Sequence, residues 1–267
     1  MNKETILSHL PNHPWSRNLQ VFEEVESTNA LLKALGREGA PNGTVLIADR
    51  QSGGRGRLGR TFLSPGGVGI YFSVLLRPNC PPAQLMHLTC AVAVAMCDAV
   101  QTVSGIRPQV KWINDLVLGH RKLGGILTEL NFDSATGNVD FAVIGVGINC
   151  LQKKTDFDPA IRDMATSLQM FTGNPIDRNL LAAEMIRSMY TLSQQLHTGK
   201  DSLMAQYKAD CLTIGKEIQV IRGENIRKAI ALDLDNEGAL IVQYQDDGTV
   251  SPVSSGEVSV RGMYGYV

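Results

Sequence analysis

A run of glycines and arginines between two apolar segments is the feature that most restricts how this chain can fold. Residues 53–60 read GGRGRLGR, and Gly54, Gly56 and Gly59 have the GxGxxG spacing of dinucleotide-binding folds. In those folds the motif opens a helix directly after a strand. Here residues 61–67, which include a proline and two glycines, lead into the strand-like segment 69–76 instead. The order of segments therefore argues against a Rossmann fold, and no Gly-Lys-Ser/Thr follows that would make a P-loop.

The same run carries a high density of positive charge. Arg55, Arg57 and Arg60 lie within six residues, so their guanidinium groups repel one another unless an anion lies between them. Glycines allow the backbone of such a loop to approach a ligand closely. The run predicts a flexible loop that closes over a carboxylate or phosphate, with a solvated basic loop as the alternative.

A second cluster follows at residues 111–127. Lys111 precedes Trp112-Ile113-Asn114-Asp115, and residues 121–127 read RKLGGIL. A lysine at the start of a strand can place a point charge on a phosphate, and paired glycines leave space for a ligand. The amide of Asn114 can read the edge of an adenine, although Asn-Asp is also ordinary turn chemistry. Together the two clusters favour an anionic ligand of the nucleotide class.

Segments of helical and strand periodicity alternate until about residue 213, where short strands separated by glycines take over. Helices are predicted at 30–35, 84–103, 178–197 and 203–211, and strands at 44–48, 69–76, 110–113, 116–118, 122–130 and 139–149. Further strands are predicted at 217–221, 226–234, 239–244 and 257–261. The pattern predicts an α+β domain over residues 1–212 and a small β-barrel domain over residues 213–267.

Composition limits the classes of partner. With 25 basic and 26 acidic residues the formal net charge is −1, which gives the chain no global attraction for nucleic acid or anionic membranes. The most apolar stretch, 85–103, contains His87 and Asp98, so it is predicted to be a buried helix. The five cysteines form no CxxC pair and the histidines lack metal-ligand spacing, so we expect reduced thiols in the cytoplasm and no protein metal site. The sequence contains no GxSxG motif, so it gives no reason to expect a hydrolase triad.

The order of these motifs resembles the biotin–protein ligases, also called biotin–[acetyl-CoA-carboxylase] ligases. The resemblance is carried by Ser27-Thr28-Asn29, Gln51 with the glycine–arginine run, KWIND at 111–115, RKLGGIL at 121–127, GVGIN at 145–149 and GEVSVR at 256–261. Each motif alone is common, whereas their combination over nearly the whole chain is specific. One departure is Ile113, since the family usually has proline at that position.

The resemblance implies a mixed β-sheet flanked by helices, of the class II synthetase type, with an SH3-like C-terminal barrel. It also implies a two-step reaction with ATP and Mg²⁺ as co-substrates. The carboxylate of biotin attacks the α-phosphate of ATP, which gives biotinyl-5′-AMP and pyrophosphate. A lysine of a biotin carboxyl carrier protein then takes the biotinyl group, and AMP is released.

The functional residues of the family map onto this sequence motif by motif. For biotin, the resemblance implies a head-group pocket and a covering loop made by Ser27, Thr28, Asn29, Gln51, Arg55, Gly56, Arg57, Lys122 and Gly125. For ATP and the adenylate, it implies Arg57, Arg60, Phe62, Lys111, Asn114, Lys122 and Asn149, with Phe62 packing on adenine and both asparagines facing it. The implied catalytic residues are Lys122 and Arg57, with Asp115 nearby.

Family members often dimerise, so a homodimer is an expectation, and many carry an N-terminal DNA-binding domain. Because 26 residues precede Ser27, about half of what a winged helix-turn-helix needs, the sequence predicts the ligase-only form without specific DNA binding. In this N-terminal segment Leu7, Leu10 and Trp15 are expected to pack on the core. Two rival interpretations stay open: a lipoate–protein ligase with the same fold and chemistry, and a non-catalytic module that senses biotin or a nucleotide.

Overall fold

The computed structural model describes residues 1–254 and the backbone of residues 259–262, and these form six α-helices and twelve β-strands. The helices are α1 (Lys3–Ser8), α2 (Thr28–Arg37), α3 (Leu88–Ser104), α4 (Leu168–Thr172), α5 (Arg178–Gln195) and α6 (Lys200–Asp210). The first sheet contains β1 (Leu19–Val25), β2 (Thr44–Gln51), β3 (Gly69–Leu76), β4 (Gln109–Lys111), β5 (Asp115–Leu118), β6 (Arg121–Phe132) and β7 (Val139–Asn149). The second sheet contains β8 (Glu217–Arg222), β9 (Asn225–Leu234), β10 (Leu240–Tyr244), β11 (Val250–Val253) and β12 (Ser259–Gly262).

The first sheet has its strands in the order β1-β2-β3-β7-β6-β5-β4. Strands β1 and β2 are parallel and the other neighbours are antiparallel, so the sheet is mixed. Strand β3 is buried along its whole length, as its nearly continuous apolar run requires. The mixed sheet expected from the resemblance is therefore confirmed.

Helices cover both faces of this sheet. Successive side chains of a strand point to opposite faces, and Leu46 of β2 and Leu75 of β3 pack beneath Leu32 of α2. The opposite face, which includes Val45, belongs to the larger core, where α3 packs on α5. The sheet that carries the site described below is therefore buried between two layers of helices.

Helix α3 is the apolar helix predicted from the sequence. Within the described residues, one helical stretch, Pro82–Ser104, is long and apolar enough to cross a membrane by length and composition, yet 72% of the window that meets this test is buried inside the fold. Its buried side chains include Val92, Met96 and Val100. The prediction of a core helix is confirmed.

The second sheet is antiparallel, in the order β11-β10-β9-β8-β12, and agrees with the predicted small barrel. Strand β11 was not predicted, because it is short and contains Pro252. Proline is tolerated there because β11 lies at the edge of the sheet. Of the predicted strand 257–261, residues 257 and 258 lie outside the described part of the chain, and the remainder falls in β12. The domain division between residues 212 and 213 stays a prediction.

The N-terminal elements α1 and β1 were also not predicted. Helix α1 has six residues, and the burial of β1 follows no strict alternation because the strand lies at the edge of the first sheet. Leu10 and Trp15 are buried in the core and Leu7 packs against it, as expected. Strand β4 ends at Lys111, two residues earlier than predicted, and the Trp112–Ile113 peptide bond is cis.

Candidate active site

A cleft of about 650 Å³ is lined by residues of β3, β6 and β7 of the first sheet and by the glycine–arginine run, called here the arginine loop (residues 53–60). Its lining also includes one residue of the second sheet, Gln219. All but one of the predicted site residues line this cleft, namely Ser27, Thr28, Asn29, Gln51, Arg55, Gly56, Arg57, Arg60, Phe62, Lys111, Asn114, Asp115, Lys122 and Gly125. Residues from four separate sequence motifs are thereby brought to one place.

One end of the cleft is polar but uncharged. Helix α2 begins after Ser27, whose hydroxyl accepts a hydrogen bond from the backbone N–H of Ala30 at 3.4 Å. The next residue, Thr28, places its backbone N–H 2.8 Å and its hydroxyl 3.0 Å from Oε1 of Gln51. Ser27, Thr28 and Asn29 are all buried. This neutral end suits a ligand group that makes hydrogen bonds without carrying charge.

The arginine loop folds back on itself. The backbone N–H of Gly56 donates to the carbonyl of Arg60 at 2.7 Å, and that of Phe62 donates to the carbonyl of Gly54 at 2.9 Å. A side chain at Gly54 would collide with the Phe62 carbonyl oxygen, so this close approach of two backbones requires glycine. Leu58, at the tip, has a left-handed φ of 55° and is exposed. The loop is thus compact at its base and open at its tip.

Arg57 joins the loop to the β4–β5 turn. Its Nη1 donates to Oδ1 of Asn114 at 3.0 Å, while Nδ2 of Asn114 donates to the carbonyl of Ile126 at 3.0 Å. Burial lowers the pKa of the Arg57 guanidinium, and the nearby charge of Asp115 opposes that shift. An arginine remains protonated under such conditions. Arg57 therefore holds a positive charge over the cleft and fastens the loop to its opposite wall.

A second cation lies beside a carboxylate on the floor of the cleft. Nζ of Lys122, at the start of β6, lies 2.6 Å from Oδ1 of Asp115 at the start of β5. A Cβ at Gly125 would lie about 3.4 Å from both of these atoms, which is an ordinary van der Waals contact, so Gly125 packs directly beside the pair. The backbone of Lys122 is fixed by a hydrogen bond from its N–H to the carbonyl of Met164 at 2.8 Å. The lysine is therefore positioned but still faces the cleft.

The segment that carries Asn114 and Asp115 is held by the C-terminal part of the chain. The backbone N–H of Trp112 donates to the Thr213 hydroxyl, and its indole N–H donates to the carbonyl of Gly238, both at 2.9 Å. The buried hydroxyl of Tyr207 donates to the carbonyl of Ile113 at 3.1 Å. Because Trp112 also lines the cleft, the second sheet and α6 support one wall of the site.

Asn149 is the predicted site residue that the structure does not bring to the cleft lining. It is buried at the end of β7, its Nδ2 donates to the carbonyl of Thr166 at 3.0 Å, and its Oδ1 accepts from Gln152 at 3.1 Å. Both atoms of its amide are thus engaged within the protein. Its assignment to adenine stays a prediction.

Several lining residues were missed by the sequence reasoning. Tyr71 lies behind Phe62 in an edge-to-face contact, with ring centroids 6.4 Å apart. Gly147 leaves space for the Phe62 ring, which a side chain there would overlap. The alternation of glycine with apolar residues at 145–149 was the available signal for that contact. No feature of the sequence indicated that Gln219 lines the cleft, because a polar residue in a short β-strand is common.

Comparison with known proteins is consistent with this geometry. The sequence-family model described as "Biotin/lipoate A/B protein ligase family" matches residues 21–149. A second sequence-family model, described as "Biotin protein ligase C terminal domain", matches residues 213–261. The chain is similar to the "Biotin--[acetyl-CoA-carboxylase] ligase" of Mycobacterium tuberculosis, with 34% identity over 248 residues that cover 91% of this chain and 88% of that protein. It is 32% identical over 247 residues to the "Bifunctional ligase/repressor BirA" of Bacillus spizizenii, covering 92% of this chain and 75% of the relative.

Solved structures agree with these sequence relatives. The biotin protein ligase of Aquifex aeolicus, solved in complex with biotin and ATP, superposes with a TM-score of 0.77 at 29% identity. The superposition covers 92% of this chain and 99% of that one. With similarity of this extent in sequence and in structure, the chain belongs to the biotin–protein ligase family.

Proposed function

We propose that this protein activates biotin with ATP to form biotinyl-5′-AMP and transfers the biotinyl group to a lysine of a biotin carboxyl carrier protein. The observation that carries this proposal is the division of one cleft into two chemically different ends. Thr28, Asn29 and Gln51 make a neutral polar end for the biotin ring system, whereas Arg57 and Lys122 place positive charge where a carboxylate and a phosphate would meet. Biotinyl-5′-AMP, the product of the first step, would stay bound in this cleft as the substrate of the second step.

In the first step two anions must approach each other. A carboxylate oxygen of biotin forms a bond to the α-phosphorus of ATP, and the bond from that phosphorus to the bridging oxygen breaks, which releases pyrophosphate. Negative charge accumulates on the α-phosphate oxygens during this displacement. Lys122 and Arg57 are the cations that line the cleft at this point, and we assign to them the stabilisation of that charge.

In the second step the acyl carbon of the adenylate is attacked by the neutral amine of the acceptor lysine. The carbon–nitrogen bond forms, the bond from the acyl carbon to the phosphate oxygen breaks, AMP leaves, and the nitrogen loses a proton. Arg57, through its hydrogen bond to Asn114, keeps the arginine loop closed over the adenylate until then. A closed loop also limits hydrolysis of the mixed anhydride by water.

The chemistry of the cleft fits a magnesium ion that enters with ATP. Mg²⁺ in nucleotide sites is bound by one or two carboxylates together with the substrate phosphates. Among the described lining residues, Asp115 is the one acidic side chain, and we assign it to this role. The ion would neutralise phosphate charge and favour departure of pyrophosphate.

We expect chelation of divalent cations to reduce adenylate formation at least about a hundredfold, because uncompensated phosphate charge would oppose the attack of the carboxylate. Added Mg²⁺ should restore the rate. In Asp115→Asn the concentration of Mg²⁺ that gives half the maximal rate should rise, whereas Asp163→Asn, an exposed acid paired with Lys154, should leave it unchanged. Biotin-dependent pyrophosphate exchange, titrated with Mg²⁺, measures both, and equal curves for the two variants would contradict the role given to Asp115.

Gly145 provides a test of the neutral end. A Cβ at this position would overlap the Asn29 amide, which is buried and cannot withdraw. We expect Gly145→Ala to raise the KM for biotin about tenfold or more while changing the KM for ATP little, because displacement of one polar group weakens one end of the cleft. Gly66→Ala is the matched control, since a Cβ there meets no atom closer than 3.4 Å. An equal rise of both KM values would contradict the assignment.

The two rival interpretations are separated by one experiment. The full chain is incubated with ATP, Mg²⁺ and radiolabelled pyrophosphate, with biotin in one arm and lipoate in the other. A biotin–protein ligase exchanges label into ATP only with biotin and then labels a carrier domain. Exchange with lipoate indicates the other substrate, and binding without exchange indicates a sensing module.

We expect the reaction to take place in the cytoplasm. The five cysteines, Cys80, Cys90, Cys97, Cys150 and Cys211, are free and buried, which agrees with a reducing compartment. The net charge of −1 provides no electrostatic basis for DNA binding, so we expect no sequence-specific binding in a gel-shift assay at physiological salt. A homodimer is expected by analogy with the family, and light scattering with biotin and ATP tests it.

A further inference from the structure

A row of buried polar side chains lies behind the neutral end of the cleft. Its centre is Ser73, on the otherwise apolar strand β3, with 0% of its surface exposed. The Ser73 hydroxyl oxygen lies 2.7 Å from Oγ1 of Thr28 and 2.6 Å from Oδ1 of Asn29. Thr28 and Asn29 line the cleft, and Ser73 supports them from behind.

The orientation of the Asn29 amide is fixed by acceptors on its other side. Its Nδ2 donates to the carbonyl of Leu127 at 3.3 Å and to Oε2 of Glu129 at 3.1 Å. Glu129 is in turn paired with Lys33 at 3.1 Å. A flipped amide would place an oxygen against these two oxygens, so Oδ1 must face Ser73. An amide oxygen only accepts, and Ser73 must therefore donate its single proton to Asn29.

The orientation of the Gln51 amide is fixed in the same way. Its Oε1 accepts the backbone N–H of Thr28 at 2.8 Å, and its Nε2 donates to the hydroxyl of Ser64 at 3.0 Å. The Ser64 hydroxyl in turn donates a hydrogen bond to the carbonyl of Phe62 at 3.0 Å. A flip of Gln51 would set two donors against each other at Thr28. Oε1 therefore faces the Thr28 hydroxyl as an acceptor.

These constraints leave the row one proton short. Three oxygen–oxygen contacts join Gln51 to Thr28 at 3.0 Å, Thr28 to Ser73 at 2.7 Å, and Ser73 to Asn29 at 2.6 Å. Two hydroxyl protons are available for them. Ser73 gives its proton to Asn29, so Thr28 is the remaining donor for two contacts, one with Ser73 at 2.7 Å and one with Gln51 at 3.0 Å. We assign its proton to the shorter contact, the one with Ser73. The oxygens of Thr28 and Gln51 then remain side by side, both with lone pairs free to accept.

We infer that Ser73 is a positioning residue that turns the Thr28 hydroxyl away from Gln51, so that the neutral end of the cleft presents two adjacent acceptors and selects a head group with an N–H donor. This inference rests on the proposed function and deepens it. The ureido ring of biotin carries two N–H groups, whereas the dithiolane ring of lipoate carries none. A buried acceptor without a donor is costly, which makes the selection strong.

The test compares biotin with its two cyclic carbamate analogues, in each of which one ring N–H is replaced by oxygen. Isothermal titration of the protein should show that one analogue binds at least about tenfold more weakly than biotin, because an N–H donor is lost opposite two acceptors. In Ser73→Ala the Thr28 hydroxyl is free to turn toward Gln51, so the ratio should fall to about threefold or less. The KM for biotin should rise in this variant, with the KM for ATP unchanged.

Two further variants complete the design. Ser73→Cys keeps the volume and a weak donor, so its ratio should lie between those of wild type and Ser73→Ala, and it replaces the alanine variant if that one does not fold. Thr44→Val removes another buried hydroxyl, at the opposite end of β2, where it donates to the carbonyl of Pro41. Its ratio should equal that of wild type.

The outcomes separate the inference from the proposal beneath it. If wild type does not bind biotin, the proposed function fails, and the inference fails with it. If wild type binds biotin and Ser73→Ala or Ser73→Cys keeps the wild-type ratio, the proposed function stands and the role of Ser73 is wrong. That role is also wrong if the KM values for biotin and ATP rise together in the serine variants.

Discussion

Lys122→Ala is expected to reduce biotin-dependent adenylate formation by at least about a hundredfold, which is the usual cost of removing one preorganised charge from a developing anion. Nζ of Lys122 lies 2.6 Å from Asp115 on the floor of the cleft, and its side chain is 31% exposed. It can therefore turn toward a carboxylate or phosphate without burying a new charge. Biotin-dependent exchange of pyrophosphate into ATP measures the effect directly.

The fold should survive this substitution. Lys122 is half-buried, and its backbone hydrogen bond to Met164 does not depend on the side chain. Lys208→Ala is a matched control, because Lys208 is 33% exposed and its Nζ also lies near a carboxylate, 3.1 Å from Asp233. The two variants should melt at similar temperatures, and Lys208→Ala should exchange pyrophosphate at the wild-type rate. A folded Lys122→Ala protein with near-normal exchange would remove Lys122 from the mechanism.

Arg57→Gly is expected to give a leaky enzyme that still makes the adenylate but releases it early. In wild type the guanidinium connects the arginine loop to Asn114 at 3.0 Å, and under the proposed function it would also place positive charge beside the phosphate. Glycine would remove both contacts and would also add backbone freedom to a loop that already contains four glycines at 53, 54, 56 and 59. Free biotinyl-5′-AMP would then react with exposed lysines on bystander proteins.

The assay for this prediction is biotin labelling of albumin during turnover, with adenylate formation measured in parallel. We expect the variant to form adenylate more slowly than wild type and to label albumin several-fold more. Arg50→Gly is the control, since Arg50 is an exposed arginine paired with Glu24 at 3.4 Å, outside the cleft lining. If Arg57→Gly labels albumin no more than wild type while it still makes adenylate, the retention role of Arg57 is wrong.

Much of the local structure could be predicted because its signals are contained in short stretches of sequence. The capping residue Ser27 marks the start of α2, and the turn at 133–138 joins β6 to β7. The edge elements were harder: β1 and β11 have weak patterns, and they exist because a neighbouring strand offers them backbone hydrogen bonds. A signal that lies in another part of the chain cannot be read from the segment itself.

The candidate site divides in the same way. The charged and glycine-rich residues of the arginine loop and of the segment 111–127 are predictable, because their chemistry is unusual wherever they occur. Gln219 reaches the cleft only because the second sheet packs beside the turn that carries Trp112. The amide of Asn149, in contrast, is engaged by Thr166 and Gln152, which follow it in the chain. Sequence position gave no indication of either result.

The sequence by itself determined most of the central helices and strands, the positions of the clustered positive charge, and the class of ligand that such charge attracts. These properties depend on side-chain chemistry and on short-range periodicity, both of which are written along the chain. Only the tertiary structure decided which polar groups face the cleft and which are satisfied behind it. Ser73 shows why: its role depends on two contacts with residues more than 40 positions away, which the packing of α2 against β3 creates. Hydrogen-bond direction is a property of the assembled network, and each proton in that network is placed by partners that the local sequence does not contain.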